Sequence, residues 1–217
     1  MTQLLDQLLE EPTLPETVAA LTVRLADERA RRNRFYDEIQ PDEKAEFING
    51  QYIMHSPALN RHLAVTQRLT SLLDAFVETR QLGLVRTEKA LCVFPRNDYE
   101  PDVVFFGPAK AAGLTPDTLK FPVPDFICEV LSDSTEERDR GIKFRDFAAH
   151  GVAEFWIVDP DSEVLEQYVL RGDTYELRLK SGSGDVASSV VPGFAIAIRS
   201  LFDVNEHLQT LRRLLGP

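Results

Sequence analysis

The sequence predicts an α/β (α+β) domain, a mixed central sheet flanked by helices, with an N-terminal helical arm and a β-hairpin-rich C-terminal part. Three observations predict it. Apolar strand-like runs recur through the middle of the chain, a helix with a capping signal separates two of them, and beyond Asp161 the pattern breaks into short runs joined by glycine turns. At 217 residues, 43% of them hydrophobic, the chain can build one substantial core and is short for two.

Residues 1–43 are charged and helix-favouring. Val18, Leu21 and Leu25 fall at helical spacing and ERARRNR follows at 28–34, so a helical arm is expected there. The arginines read as a solvated helix face, although such a cluster also suits phosphate. In AEFINGQYIM, Asn49-Gly50 separates two alternating runs and marks a two-residue hairpin, because both central positions need positive φ. From Ala58 to Gln81 the period becomes helical, with Val65, Leu69, Leu72 and Phe76 on one stripe. His62 opens that stripe and reads as a packed residue rather than a functional one. Strand-like runs return at LVRTEKALCVF, PDVVFF and PDFICEVLS, and GPAKAAGLTPDTLKFPVP forms a long loop before the last of them. Asp125 beside Pro124 suits turn chemistry.

Ser134 and Glu137 then predict a capping box opening a helix that runs to about His150, with Gly151 as its stop. EFWIVDP is a buried strand, with Trp156 in the core and Asp159 in a turn. EVLEQYVL and TYELRLK form a hairpin across Arg171-Gly172-Asp173, and short strands follow SGSGD as far as Ile198. The expected organisation is an arm over 1–43, one domain over 44–205 and a C-terminal tail over 206–217.

No apolar run approaches the roughly 20 residues that span a bilayer, and the N-terminus shows no secretory pattern. A soluble cytoplasmic protein without a membrane partner is expected. Cys92 and Cys128 sit in apolar runs without CxxC or Cys/His spacing, which argues against both zinc binding and a disulfide and suits small core residues in a reducing compartment. A formal charge of −11 argues against holding nucleic acid by bulk electrostatics, so a polyanion would need a local basic patch or a bound metal.

The chemistry lies in acids stranded on apolar strands: Glu46 before the hairpin, Asp102 opening DVVFF, and Glu129 inside FICEVL. An unpaired carboxylate in a dry interior costs several kcal/mol, so Glu129 needs a cation, a proton or a wet cleft beside it. Asp139, Lys143 and Asp146 share one helix face, which makes Lys143 a candidate cation for Glu129. Carboxylates that converge are mutually repulsive, and a hard divalent ion such as Mg²⁺ relieves the repulsion. With a lysine alongside, the set describes metal-assisted phosphodiester hydrolysis. Spacing alone leaves alternatives open: Asp102 after a proline also suits a turn, and Lys143 also suits an i,i+4 pair with Asp139 on an exposed face.

The ordered motifs EFINGQYIMHSP, PDVVFF, ICEVLSDST, RDRGIKF and GVAEFWIVDP resemble the Uma family of restriction-endonuclease-like nucleases, within the PD-(D/E)xK phosphodiesterase superfamily, over roughly residues 40 to 200. The resemblance implies a restriction-endonuclease-like nuclease fold for 44–205. It implies Asp102 and Glu129 as metal ligands, Glu46 as an auxiliary acid and Lys143 as the catalytic lysine. Leu131 stands where the superfamily's usual motif places a lysine, and Lys143 on the following helix matches a variant in which that lysine has migrated. By resemblance the protein is a Mg²⁺- or Mn²⁺-dependent endonuclease acting on DNA, working as a homodimer. Two rivals remain at this stage: a nuclease-fold module without turnover, for nucleic-acid binding or oligomerisation, and a phosphoesterase acting on small nucleotides.

Overall fold

The computed structural model describes residues 2–40 and 43–216; residues 1, 41 and 42 of the expected arm and 217 of the expected tail lie outside them. The arm is helical, α1 over Thr2–Leu9 and α2 over Leu14–Glu38, with a proline in the first turn of α2 where its missing N–H costs nothing. Only Glu28 and Phe35 of α2 are buried, so the helix is anchored by its C-terminal half. Arg32 provides the anchor: Nε and Nη2 each lie 2.6 Å from a carboxylate oxygen of Asp98, which is fully buried. The arginine cluster is therefore not simply a solvated face. The expected reading fails at Arg32 because its partner lies 66 residues away in sequence.

The hairpin forms as β1 (Ala45–Ile48) and β2 (Gln51–Met54), with Asn49 at φ 50° and Gly50 at φ 81°. Next come α3 (Asn60–Arg80), β3 (Leu84–Thr87), β4 (Leu91–Val93), β5 (Asp98–Tyr99) and β6 (Val103–Phe106). The long loop contains a single turn of helix, α4 (Pro108–Ala111), and β7 (Lys120–Phe121). After β8 (Phe126–Val130), the expected continuous helix is broken into α5 (Glu136–Arg138), a π-turn over Asp139–Lys143 and α6 (Phe144–Ala149). The capping box does not form. Thr135 occupies the N-cap position without a side-chain bond, and the Ser132 carbonyl accepts the N–H groups of Thr135 and Glu136 instead.

β9 (Glu154–Asp159), β10 (Val164–Arg171), β11 (Thr174–Ser181), β12 (Asp185–Ala187) and β13 (Ala195–Ala197) follow, and a short 3₁₀ turn leads into α7 (Val204–Leu215). Asp203 caps α7 by accepting from the N–H groups of Asn205 and Glu206. Residues 206–215 are thus a packed helix, with Leu214 buried and its carbonyl held by Arg80 of α3.

Among the described residues three sheets result, β2-β1-β5-β4-β7, β11-β10-β9-β8-β6-β3 and the antiparallel pair β12-β13, the second mixed because β8 and β9 run parallel while its other neighbours are antiparallel. Alternation divides the largest sheet cleanly. Val103, Phe105, Phe126, Cys128, Trp156 and Val158 face a core shared with Leu69, Leu72 and Phe76 of α3. Val104, Phe106, Ile127, Phe155 and Ile157 face a second core shared with Phe94, Tyr99 and Phe147. The acids at the ends of β6 and β8 belong by parity to this second face.

Candidate active site

Antiparallel register sets Val103 opposite Cys128 and Val104 opposite Ile127, so one step further sets Asp102 opposite Glu129. Directly opposed residues share a sheet face, and the two acids therefore meet. The Asp102 N–H donates to Glu129 Oε2 at 3.3 Å, and the Val130 N–H donates to Asp102 Oδ2 at 2.8 Å. Both side chains line a cavity of about 690 Å³.

Lys143 reaches the same place from the π-turn. Its Nζ lies 2.9 Å from Glu129 Oε1, 2.9 Å from Glu46 Oε1 and 3.1 Å from Asp139 Oδ1. The i,i+4 pairing with Asp139 is real, but it is buried rather than exposed. A π-turn inserts an extra residue into the helical ladder and recurs at functional sites. Here it turns Asp139 and Lys143 inward together, while Asp146, on the same predicted face, accepts from Tyr99 Oη at 2.6 Å and Asn97 Nδ2 at 2.7 Å and serves the packing of α6. The four predicted residues Glu46, Asp102, Glu129 and Lys143 are therefore brought together, with Glu46 supplied by β1 and steadied by His55 Nε2 at 3.2 Å from its Oε2.

The electrostatics separate these acids. Burial works to raise the Glu46 carboxyl, but Lys143 and His55 outweigh it and hold it at about 2. Burial likewise opposes ionisation of Asp102, yet the His62 contact and Lys44 keep it well below the usual carboxylate range. For Glu129 burial prevails, aided by the charges of Asp139, Asp102 and Glu46, and pushes the carboxyl up in spite of Lys143. Burial also pushes Glu100 up to about 7, against the Ala45 N–H that donates to its Oε2 at 2.7 Å.

Three further residues border the site that the strand pattern did not select. Lys44 Nζ bridges Asp102 Oδ1 at 2.8 Å and Glu88 Oε2 at 2.9 Å, and His62 Nε2 lies 3.4 Å from Asp102 Oδ1. Lys44 lies outside the apolar runs and Glu88 in the polar TEK stretch of LVRTEKALCVF, where a charged residue gives no sign of burial, and the expectation of a packed His62 misses its contact with Asp102. For a divalent ion the donor set is suitable: Asp102 and Glu129 present carboxylate oxygens to the cavity from adjacent strands, which is the hard chemistry Mg²⁺ and Mn²⁺ take.

The mixed sheet with acids at the meeting point of two antiparallel strands, a lysine and a cavity defines a restriction-endonuclease-like α/β protein. Within that class the chain belongs to the Uma2 family, described as "Putative restriction endonuclease", which matches residues 32–199. The structure is similar to one described as that of "a putative nuclease belonging to DUF820" from Anabaena variabilis, with a TM-score of 0.68 and 18% sequence identity, over 83% of this chain and 98% of that one. At that identity the likeness speaks for the fold. Comparison with curated proteins gave no match.

Proposed function

We propose that this protein is a Mg²⁺- or Mn²⁺-dependent endonuclease that hydrolyses DNA phosphodiester bonds, with Asp102 and Glu129 holding the metal, Glu46 assisting and Lys143 close to the scissile phosphate. The observation that carries the reading is the meeting of Asp102 and Glu129 on one face of the sheet at the wall of a 690 Å³ cavity. A bound divalent ion supplies Lewis-acid polarisation of a phosphoryl oxygen and a more acidic water ligand. The chain's own residues set the stage for that chemistry. The Val130 N–H fixes the carboxylate of Asp102, and Lys143 orients that of Glu129. Lys44, Lys89 and Arg138 stand among the carboxylates of the cavity wall, so an anionic substrate would need the bound ion to offset the acids there as well as the net charge of −11.

The test is cleavage of supercoiled, linear and single-stranded DNA with Mg²⁺ or Mn²⁺, by the wild type and by Glu129→Gln. Cleavage by the wild type that falls to background in the variant is expected. A clean preparation that cuts none of the substrates with either ion overturns the reading. One observation favours a nuclease fold without turnover: Lys143 is 1% exposed and spends its ammonium group on three carboxylates. DNA binding that is unchanged by Glu129→Gln, with no cleavage by either protein, selects that second reading.

Homodimerisation is part of the proposal. Leu4, Leu5, Leu9, Val18, Leu21 and Val23 lie exposed along the arm, an apolar surface of the kind that pairs subunits. Among the described residues no helix is long and apolar enough to cross a membrane. A reducing, cytoplasmic setting is part of the proposal, in keeping with Cys92 and Cys128, both buried and free.

A further inference from the structure

Asp102 sits at the junction of two groups of side chains, and only one of them is the Glu46, Glu129 and Lys143 set. On the other side, His62, Glu88 and Asp102 each bring one ligand-type atom to within 4.8 Å of the others. His62 comes from the first turn of α3, and Glu88 from the turn after β3, where it adopts φ 62°. Two carboxylates at such a separation repel, and Lys44 relieves them by setting its Nζ 2.8 Å from Asp102 and 2.9 Å from Glu88.

Asp102 Oδ1 is shared, because His62 Nε2 lies 3.4 Å from the oxygen that Lys44 Nζ also meets. An ammonium group has donors only, and so does a protonated histidine, so Lys44 gains nothing from a ring beside it. Yet the His62 side chain is 9% exposed, borders the cavity with Nε2 facing Asp102 Oδ1, and has no hydrogen-bond partner at Nδ1. Once it gives up its proton to an incoming ion, the Nε2 nitrogen beside two carboxylates completes a ligand set for a divalent transition ion. Mg²⁺ prefers oxygen donors and its own water, whereas imidazole suits Zn²⁺ and its neighbours and mixed nitrogen and oxygen sets accept Mn²⁺.

We propose that His62, Glu88 and Asp102 form a seat for a divalent transition ion such as Mn²⁺, and that the Lys44 ammonium group competes with the ion for it. The inference rests on the reading of Asp102 as a metal ligand and adds two ligands, an internal competitor and a preference for Mn²⁺ over Mg²⁺. Lys44 displaced from the seat is free to meet an anionic substrate in the cavity it already lines.

Mn²⁺ titration of the full chain, followed by continuous-wave and pulsed electron paramagnetic resonance, tests it. The wild type is expected to bind Mn²⁺ with a ¹⁴N coupling, and Mg²⁺ to displace it poorly. His62→Gln should abolish the coupling and weaken binding by about tenfold or more, the scale on which even outer-shell partners act. Lys44→Met should tighten Mn²⁺ binding, and circular dichroism checks that each variant is folded. Mn²⁺ bound without nitrogen coupling, with affinity indifferent to both substitutions, overturns the proposal. If Glu129→Gln then abolishes binding, the ion belongs to Asp102 and Glu129, and the nuclease reading survives. No Mn²⁺ binding by the wild type overturns both.

Discussion

Replacing Lys143 by methionine keeps most of the side-chain volume and removes one ammonium group from contact with Glu46 and Glu129 at 2.9 Å and Asp139 at 3.1 Å. All four residues are at most 3% exposed, so water cannot take the place of the lost cation. Breaking a buried pair by deleting one partner costs about 3–5 kcal/mol. For a chain of this size each kcal/mol moves Tm by about 2–4 °C, which gives a fall of about 6–20 °C at pH 8. The deficit must shrink in acid. In the wild type Lys143 helps hold Glu46 at about 2, below its ordinary 4.5, so this contribution is intact above 4.5 and lost as pH falls towards 2. In the variant Glu129, already pushed up by burial, loses the Lys143 charge that opposes the rise, so the folded state binds more protons than the unfolded one and stability falls as pH rises past the ordinary carboxylate range. Urea unfolding of both proteins at pH 5 and pH 8 measures the difference. An equal deficit at the two pH values, or one under about 1 kcal/mol at pH 8, refutes the reasoning.

Other expectations follow from the same structure. Arg32→Ala strands Asp98, which is fully buried, and should cost about 3–5 kcal/mol by denaturant unfolding; Arg32→Lys keeps the charge but loses the two-pronged contact and should cost less. Gly83→Ala places a Cβ 2.1 Å from the Phe106 carbonyl at φ 143° and should cost at least about 2 kcal/mol, whereas Gly172→Ala at φ 65°, with open space around it, should cost only about 1; calorimetry compares them. Glu166 is held at about 2, against burial, by Arg140, Tyr168 and Lys180, so its stabilisation is present above 4.5 and lost as pH falls towards 2. Glu166→Gln should remove on the order of 2 kcal/mol at pH 7, allowing for the partly exposed Arg140, and flatten acid unfolding in that window.

The elements most legible in the sequence are those whose cause is local. Asn49-Gly50 imposes its hairpin through backbone freedom, and the strands around Val104, Ile127 and Ile157 declare themselves as apolar runs. Glu129 was conspicuous because a carboxylate inside such a run demands a partner, and helical spacing pointed to Lys143. What was hidden depended on distant pairing. The π-turn arises where the chain must face Lys143 towards Glu46, 97 positions away by the difference of their residue numbers, and no local spacing announces it. The Arg32 anchor needs Asp98, and the Lys44 bridge needs strands that bring residues 88 and 102 together. The Ser134 and Glu137 pattern misled for the same reason: the Ser132 carbonyl, fixed by the end of β8, supplies the helix start with a competing acceptor.

The shared divalent ion is the claim on which the nuclease reading stands. Anomalous diffraction from crystals soaked in Mn²⁺ tests it most directly. A peak within about 2.3 Å of a carboxylate oxygen of Asp102, on the cavity side shared with Glu129, is the predicted result. An undisturbed cavity with both carboxylates unmoved, at an ion concentration that saturates surface sites elsewhere, would contradict it.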